Sequence, residues 1–217
     1  MKERRILFSA PMVRALLDGT KTQTRRVVKD LPPWEITEIC HDAGGTGKWM
    51  PNGPSPSGKG MAAGHWRHCP YGRSGDRLWV RESFVAFGRW ETRYSEKKQR
   101  DEWHFVDLTL ETDQAYRFDG ADPDARRRTG AAPTWHSRPS LFMPRAASRI
   151  LLDVVSVRVE RLQDISHEDA ECEGVKCNYS ALGFRDHYRH LWESINGPSS
   201  WDANPWVWVV EFKRVQP

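Results

Sequence analysis

A lysine, a threonine and an arginine stand at close, fixed spacing in Gly19-Thr20-Lys21-Thr22-Gln23-Thr24-Arg25-Arg26. An amine beside two guanidinium groups has its pKa pushed down by like charge, and burial would push it the same way. Such an amine suits a general base or the activator of a neighbouring hydroxyl. Thr24 then reads as a nucleophile or as a plain hydrogen-bond donor, since threonine is also a common strand residue. The bland alternative for the whole cluster is a solvated basic patch at the start of a strand. A third group bears on the choice: Glu173 falls in the last turn of a short helix, where the helix dipole disfavours a carboxylate. A cation would offset that cost. Lys21 is the partner of choice, with an exposed glutamate as the alternative.

The elements that must position these groups are legible on both sides. Ile6-Leu7-Phe8 suits a strand, Ser9 an N-cap and Pro11 the first helical turn. Met12, Val13, Leu16 and Leu17 recur at helical spacing, and Gly19 fits the left-handed position that ends a helix. The chain then enters a β-rich stretch, Thr22 to Val28. On a regular strand Thr22, Thr24 and Arg26 share one face. Lys21 joins them only if the backbone turns around Thr20–Thr22.

Downstream, Leu78 to Phe87 reads as a strand, and Ser148 to Leu162 as one long strand or two short ones. Ser166 caps the helix that Gly174 ends. Phe184, Tyr188, Leu191, Trp192 and Ile195 line one face of a further helix, stopped at Asn196-Gly197-Pro198. A final strand runs from about Val207 to Val215.

Two stretches interrupt this order. Residues 31–74 are rich in glycine and proline and read as a long irregular excursion. Residues 88–140 read as a charged insertion with possible strands at His104–Leu110 and Gln114–Phe118. Its Arg126-Arg127-Arg128 run suits a solvated loop or a phosphate contact. In the first stretch, Cys40-His41 and His65-x-x-His68-Cys69 carry zinc-type ligands, but their spacing matches no standard finger, so no metal and no cofactor is assigned. Cys172 and Cys177 read as thiols rather than ligands.

Composition sets the outer bounds. The chain has 217 residues, enough for one substantial core, with a net charge of +4. Its mean hydropathy is −0.72. No apolar run approaches the roughly 20 residues that span a bilayer, and the charged N-terminus lacks the apolar region of a signal peptide. A cytoplasmic protein with no membrane partner is the expectation. Four cysteines without framework spacing favour reduced thiols. The mild positive charge suits an anionic partner without requiring one. Among the eleven tryptophans, Trp79, Trp192, Trp206 and Trp208 read as core. Trp34, Trp49, Trp66, Trp90, Trp103 and Trp135 fall in loop-like sequence, where they pin loops or stack on bases.

The pattern Gly19, Lys21, Thr24, Arg26 resembles the signature of ASCH domains, a branch of the PUA-like β-barrels. Three further segments resemble the family in order: Gly75 to Glu82, then Met143 to Ile150 running into Ile165 to Gly174, then Asn204 to Phe212. Together they cover about half the chain and are most similar to the longer phage and prophage members. The resemblance implies an α+β fold: one PUA-like barrel over residues 1–217, decorated with short helices and carrying insertions at about 31–74 and 88–140. Small bacterial ASCH proteins with a similar motif are amidohydrolases of N4-acetylcytidine, acting through a lysine, a threonine and a glutamate. By motif position these correspond to Lys21, Thr24 and Glu173. In that scheme Lys21 helps deprotonate Thr24, Thr24 attacks the acyl carbonyl, Glu173 orients the lysine and backbone N–H groups hold the oxyanion. Arg26, Arg81 and Arg145 are the implied substrate-binding residues. The implied partner is a modified nucleoside or a nucleic acid. A non-catalytic RNA- or DNA-binding module and a ribonuclease are the other functions the resemblance allows.

Overall fold

The computed structural model describes residues 1–42, 47–119, 132–176 and 183–215. The first elements in chain order are β1 (Glu3–Leu7), α1 (Ala10–Leu17) and β2 (Gln23–Val27), followed by β3 (Glu38–His41), β4 (Lys48–Pro54), β5 (Met61–Ala63) and β6 (Arg67–His68). Then come β7 (Arg77–Arg81), β8 (Phe84–Ser95), β9 (Arg100–Asp107) and β10 (Thr134–Arg138). The chain closes with β11 (Leu151–Arg161), α2 (His167–Cys172), α3 (Phe184–Asn196) and β12 (Trp206–Arg214). The fold is α+β, dominated by strands. No helix among the described residues is long and apolar enough to cross a membrane.

The chain divides into two compact units, one formed by residues 1–6, 11–79 and 150–217, the other by 7–10 and 80–149. The larger holds a five-stranded sheet in the order β1-β7-β11-β12-β2. This sheet is open: β1 and β2 are its edges, so the closed barrel expected from the sequence is not formed by the described strand pairs. β11 and β12 pair antiparallel over nearly their full length, with a bulge between Val154 and Ser156. β2 then adds to β12, setting Thr24 opposite Val210, Arg25 opposite Val209 and Arg26 opposite Trp208. The helices close an apolar core with β12. Leu162, Ile165, Ala170, Tyr188, Trp192, Trp201, Val207 and Val209 are buried together, and Phe184 and Leu191 flank them. The 3.6-residue period of α3 delivers Tyr188 and Trp192 to that core and leaves Ile195 exposed.

The stretch 31–74 is not irregular. It contains β3, β4, β5 and β6, a second sheet in which β4 pairs with each of the others. Gly53 and Gly64 allow close approach, while Gly58 and Gly60 take left-handed turn conformations in open space. A Cβ on Gly53 would lie 1.9 Å from the Glu35 carbonyl oxygen, and one on Gly64 would lie 2.7 Å from Pro51. These two glycines therefore belong to a tightly packed small sheet. Trp49 sits on β4 and is fully buried, so it is a core residue and not a loop aromatic.

The smaller unit holds a three-stranded sheet, β10-β8-β9. The expected Leu78–Phe87 strand is two strands, β7 and β8, separated by Glu82 and Ser83. Trp90, Trp103 and Trp135 lie on its strands rather than in loops. Phe84, Ala86, Met143 and Ala147 form its buried centre, flanked by Phe105, Tyr116 and Phe118. The Arg126–Arg128 run and Cys177 lie outside the described residues.

Candidate active site

The site is built by a sharp turn after α1. Gly19 takes the left-handed conformation (φ 76°), and the N–H groups of Thr20 and Lys21 both donate to the Ala15 carbonyl, at 3.0 and 3.1 Å. Thr22 N–H then donates to Cys172 O at 2.9 Å, and Lys21 forms an isolated antiparallel bridge with Glu173. The backbone thus turns where the sequence required it to. Ser166 caps α2 by accepting from Asp169 N–H at 3.0 Å. Gly174 leaves that helix at φ 78°. A Cβ there would sit 2.8 Å from both the Ala15 and Lys21 Cβ atoms, so only glycine lets the two segments meet.

This turn brings Lys21 and Glu173 together across 152 residues of sequence. Lys21 Nζ donates to Glu173 O at 2.8 Å and to Glu173 Oε2 at 2.9 Å. Both residues are almost completely buried, at 4% and 3% exposure. The Glu173 carboxylate is shared: its Oε1 accepts from Arg25 Nη1 at 3.2 Å. Arg25 also donates to Glu160 Oε1 (2.6 Å) and Asp169 Oδ2 (2.8 Å). Gln23 Nε2 reaches the Asp169 carbonyl oxygen at 2.6 Å. Arg158 extends the network through Glu160, Asp169 and Glu211.

The alternation differs from the one expected. Lys21, Gln23 and Arg25 form the set that meets the acidic residues of β11, α2 and the turn after it, while Thr24 and Arg26 belong to the other set of β2. Thr24 is buried (3% exposed), and no hydrogen bond links it to this network among the described residues. Arg25 is the central residue that reasoning from the sequence missed. The signal was present: counting in twos from Lys21 through the turn reaches Arg25, not Arg26.

The electrostatics follow from burial. Desolvation pulls the Lys21 amine below its ordinary pKa and Arg26 and Arg25 pull the same way, against the opposing pull of Glu173. Burial also works against the charge on Arg25, but Glu173 and Glu160 outweigh it and raise the guanidinium further. Burial alone would raise Asp169; Arg25 and the Gln23 hydrogen bond instead hold it below the usual carboxylate range. The Tyr188 phenol is raised well above its ordinary value, by burial first and then by the Glu173 charge. An amine whose proton is only loosely held, anchored by a carboxylate, is equipped to take up and release a proton.

Arg81 and Arg145 belong to the smaller unit. There Arg81 is buried and donates to the Leu141 carbonyl, and Arg145 is exposed in a 3₁₀ turn, Arg145–Ala147. The zinc-type ligands do not converge. β3, with Cys40 and His41, and β6, with His68, pair with β4 on opposite edges, both meeting Trp49. No group of three or more potential ligands occurs among the described residues. Cys40, Cys69 and Cys172 are free thiols, and burial pushes the Cys69 thiol up to about 12. Comparison of the chain with family models, curated proteins and solved structures returns no match.

Proposed function

We propose that this chain is an ASCH-type, PUA-like amidohydrolase that acts on an N4-acylated cytidine, with Lys21, Thr24 and Glu173 as its working groups. The observation that carries the reading is the buried Lys21–Glu173 pair, 2.9 Å apart, with an amine pKa lowered by burial three residues before a threonine. In the proposed reaction neutral Lys21 takes the Thr24 hydroxyl proton as the oxygen bonds to the acyl carbon, a step that requires the two side chains, which alternate along the chain entering β2 and share no hydrogen bond among the described residues, to be brought together when substrate binds. The tetrahedral intermediate collapses with cleavage of the bond to N4, and Lys21 returns the proton to the departing amine. Water then hydrolyses the Thr24 ester by the same proton path. Glu173 holds the amine in place in both half-reactions. Arg25 locks Glu173 from its second oxygen and so acts as a positioning residue. Arg26, which shares the alternation of Thr24 along β2, is the cation on the substrate side.

The test is incubation of purified protein with N4-acetylcytidine, following deacetylation by chromatography. Turnover by wild type that is lost in Lys21→Ala supports the reading; no turnover by wild type, or equal turnover in the variant, removes it. One observation favours a second reading, a non-catalytic reader of RNA or DNA: Trp66 and Trp103 remain 47% and 41% exposed, available to stack on bases. Binding to single-stranded and duplex RNA and DNA at low salt, weakening as salt rises, distinguishes it. The ribonuclease reading has no observation in its favour among the described residues.

A further inference from the structure

The ion pairs around Lys21 continue outward in a ladder that ends at the surface. Ser156, Arg158 and Glu160 share one face of β11, and the register sets Arg158 opposite Val209 of β12. Val209 in turn stands opposite Arg25 of β2. Arg25 and Arg158 are therefore two strands apart on the same face, with the fully buried Val209 between them. Like charges so placed repel unless anions are fixed between them.

Two carboxylates fill that place. Asp169 Oδ2 accepts from Nη2 of both arginines, at 2.8 Å from Arg25 and 3.1 Å from Arg158. Glu160 serves each with a different oxygen: Oε1 accepts from Arg25 Nη2 at 2.6 Å, and Oε2 from Arg158 Nε at 2.9 Å. Arg158 is anchored at its outer end by Glu211, which also accepts from the Ser156 hydroxyl at 2.7 Å. At the inner end Arg25 keeps a longer contact, 3.2 Å, to Glu173 Oε1, while Lys21 holds Oε2 at 2.9 Å. Side-chain exposure rises along the ladder, from 2% at Lys21 to 34% at Arg158 and 37% at Glu211.

We infer that Arg158 is a positioning residue for Lys21: by sharing Glu160 and Asp169 it leaves Arg25 free to hold Glu173, and so sets how the Glu173 carboxylate is divided between Arg25 and Lys21. Without Arg158, both shared carboxylates depend on Arg25 and draw it outward, and its longest contact, the one to Glu173, gives first. Glu173 then serves Lys21 alone, and the cluster has lost one positive charge. Both changes favour the ammonium form of Lys21. Loss of Glu211 acts in the opposite sense: Arg158 turns inward, Arg25 moves onto Glu173, and one negative charge is gone. The charged groups that act on the Lys21 amine are Glu173, Arg26 and Arg25, and the Tyr188 phenol of α3 feels the Glu173 charge. Of these, Arg25 is the link to Arg158. This role rests on the proposed reading of Lys21 as the base, but its test needs no substrate.

The experiment follows the Lys21 amine by NMR in isotope-labelled full-length protein across a pH titration, with its signal assigned from Lys21→Arg. Arg158→Gln should raise the midpoint by about 0.5 pH unit or more, and Glu211→Gln should lower it. Arg77→Gln removes a similarly exposed cation of the same sheet, paired with Asp153 outside the ladder, and should leave the midpoint in place. Arg158→Lys keeps the charge but not the fork that spans three carboxylates, so it should raise the midpoint by less, and it serves if Arg158→Gln does not fold. Loosened packing would hydrate Lys21 and move every variant toward 10.5, so shifts of opposite sign separate positioning from damage. A midpoint that neither Arg158→Gln nor Glu211→Gln moves, shifts of the same sign in both, or an equal shift in Arg77→Gln overturns the inference. If N4-acetylcytidine is not turned over, these midpoints still decide it.

Discussion

Two lysine–glutamate pairs in this protein have nearly the same geometry and opposite physical content. Lys21 and Glu173 are 2.9 Å apart with side-chain exposures of 2% and 4%. Lys98 and Glu102, at the tip of the β8–β9 hairpin, are 2.7 Å apart with exposures of 52% and 26%. Water screens the second pair and competes for its hydrogen bonds, so it contributes little to stability. The first pair has given up its hydration. Its attraction is unscreened, but each charge depends on the other, and the amine holds its proton less firmly than a lysine in water. Burial, rather than distance, makes one pair a potential proton-transfer device and the other an ornament of the surface.

Glu173→Gln tests that contrast most severely. It removes the one carboxylate that faces both Lys21 and Arg25, and should cost about 3–5 kcal/mol of stability, measured by urea unfolding. A loss no larger than that of an exposed pair would show that the burial argument is wrong. Gly174→Ala should cost roughly 1–3 kcal/mol, from the left-handed backbone and from a Cβ meeting Ala15 and Lys21 at 2.8 Å. It should also lower activity by displacing Lys21.

The pH dependence of turnover refines the comparison. In the proposed reaction neutral Lys21 is the base, and its folded pKa lies below the ordinary 10.5. The rate should therefore rise about tenfold per pH unit until that lowered pKa and then level off. Because the folded state binds this proton less tightly than the unfolded chain, the Lys21 contribution to stability should also rise with pH between the lowered pKa and 10.5. A rate limb at or above 10.5 would contradict both statements. Lys98→Ala, the smallest effect, should leave the urea unfolding midpoint almost unchanged, and any change should vanish in high salt.

Much of this was legible in the sequence because local rules governed it. Gly19 and Gly174 occupy left-handed positions, Ser166 caps α2, and α3 buries Tyr188 and Trp192 of the face its period predicted, though not Ile195. The pairing of Lys21 with Glu173 followed from the dipole argument: a carboxylate at a helix C-terminus needs a cation. The partnership of Arg25 was missed because it depends on the parity of the strand after a turn, and one residue of phase exchanges the two faces. The β3–β6 sheet was missed for a different reason. Gly53 and Gly64 are there because neighbouring chain comes too close for a Cβ, and a single sequence cannot separate that need from the needs of a loop. Barrel closure was not legible because it depends on which edge strands meet, and among the described residues β1 and β2 remain edges.

The proposed chemistry rests finally on the hydroxyl of Thr24 and on its activation by the buried pair. The direct measurement is kcat/KM for N4-acetylcytidine in Thr24→Val and Thr24→Ser beside wild type, with thermal melts to confirm that all three fold alike. Thr24→Val keeps the shape and removes the nucleophile, so it should lose about 100-fold or more, while Thr24→Ser keeps a hydroxyl and should stay within about tenfold of wild type. A Thr24→Val protein that melts like wild type and deacetylates as fast would contradict the assignment of Thr24, and with it the role given to Lys21 and Glu173.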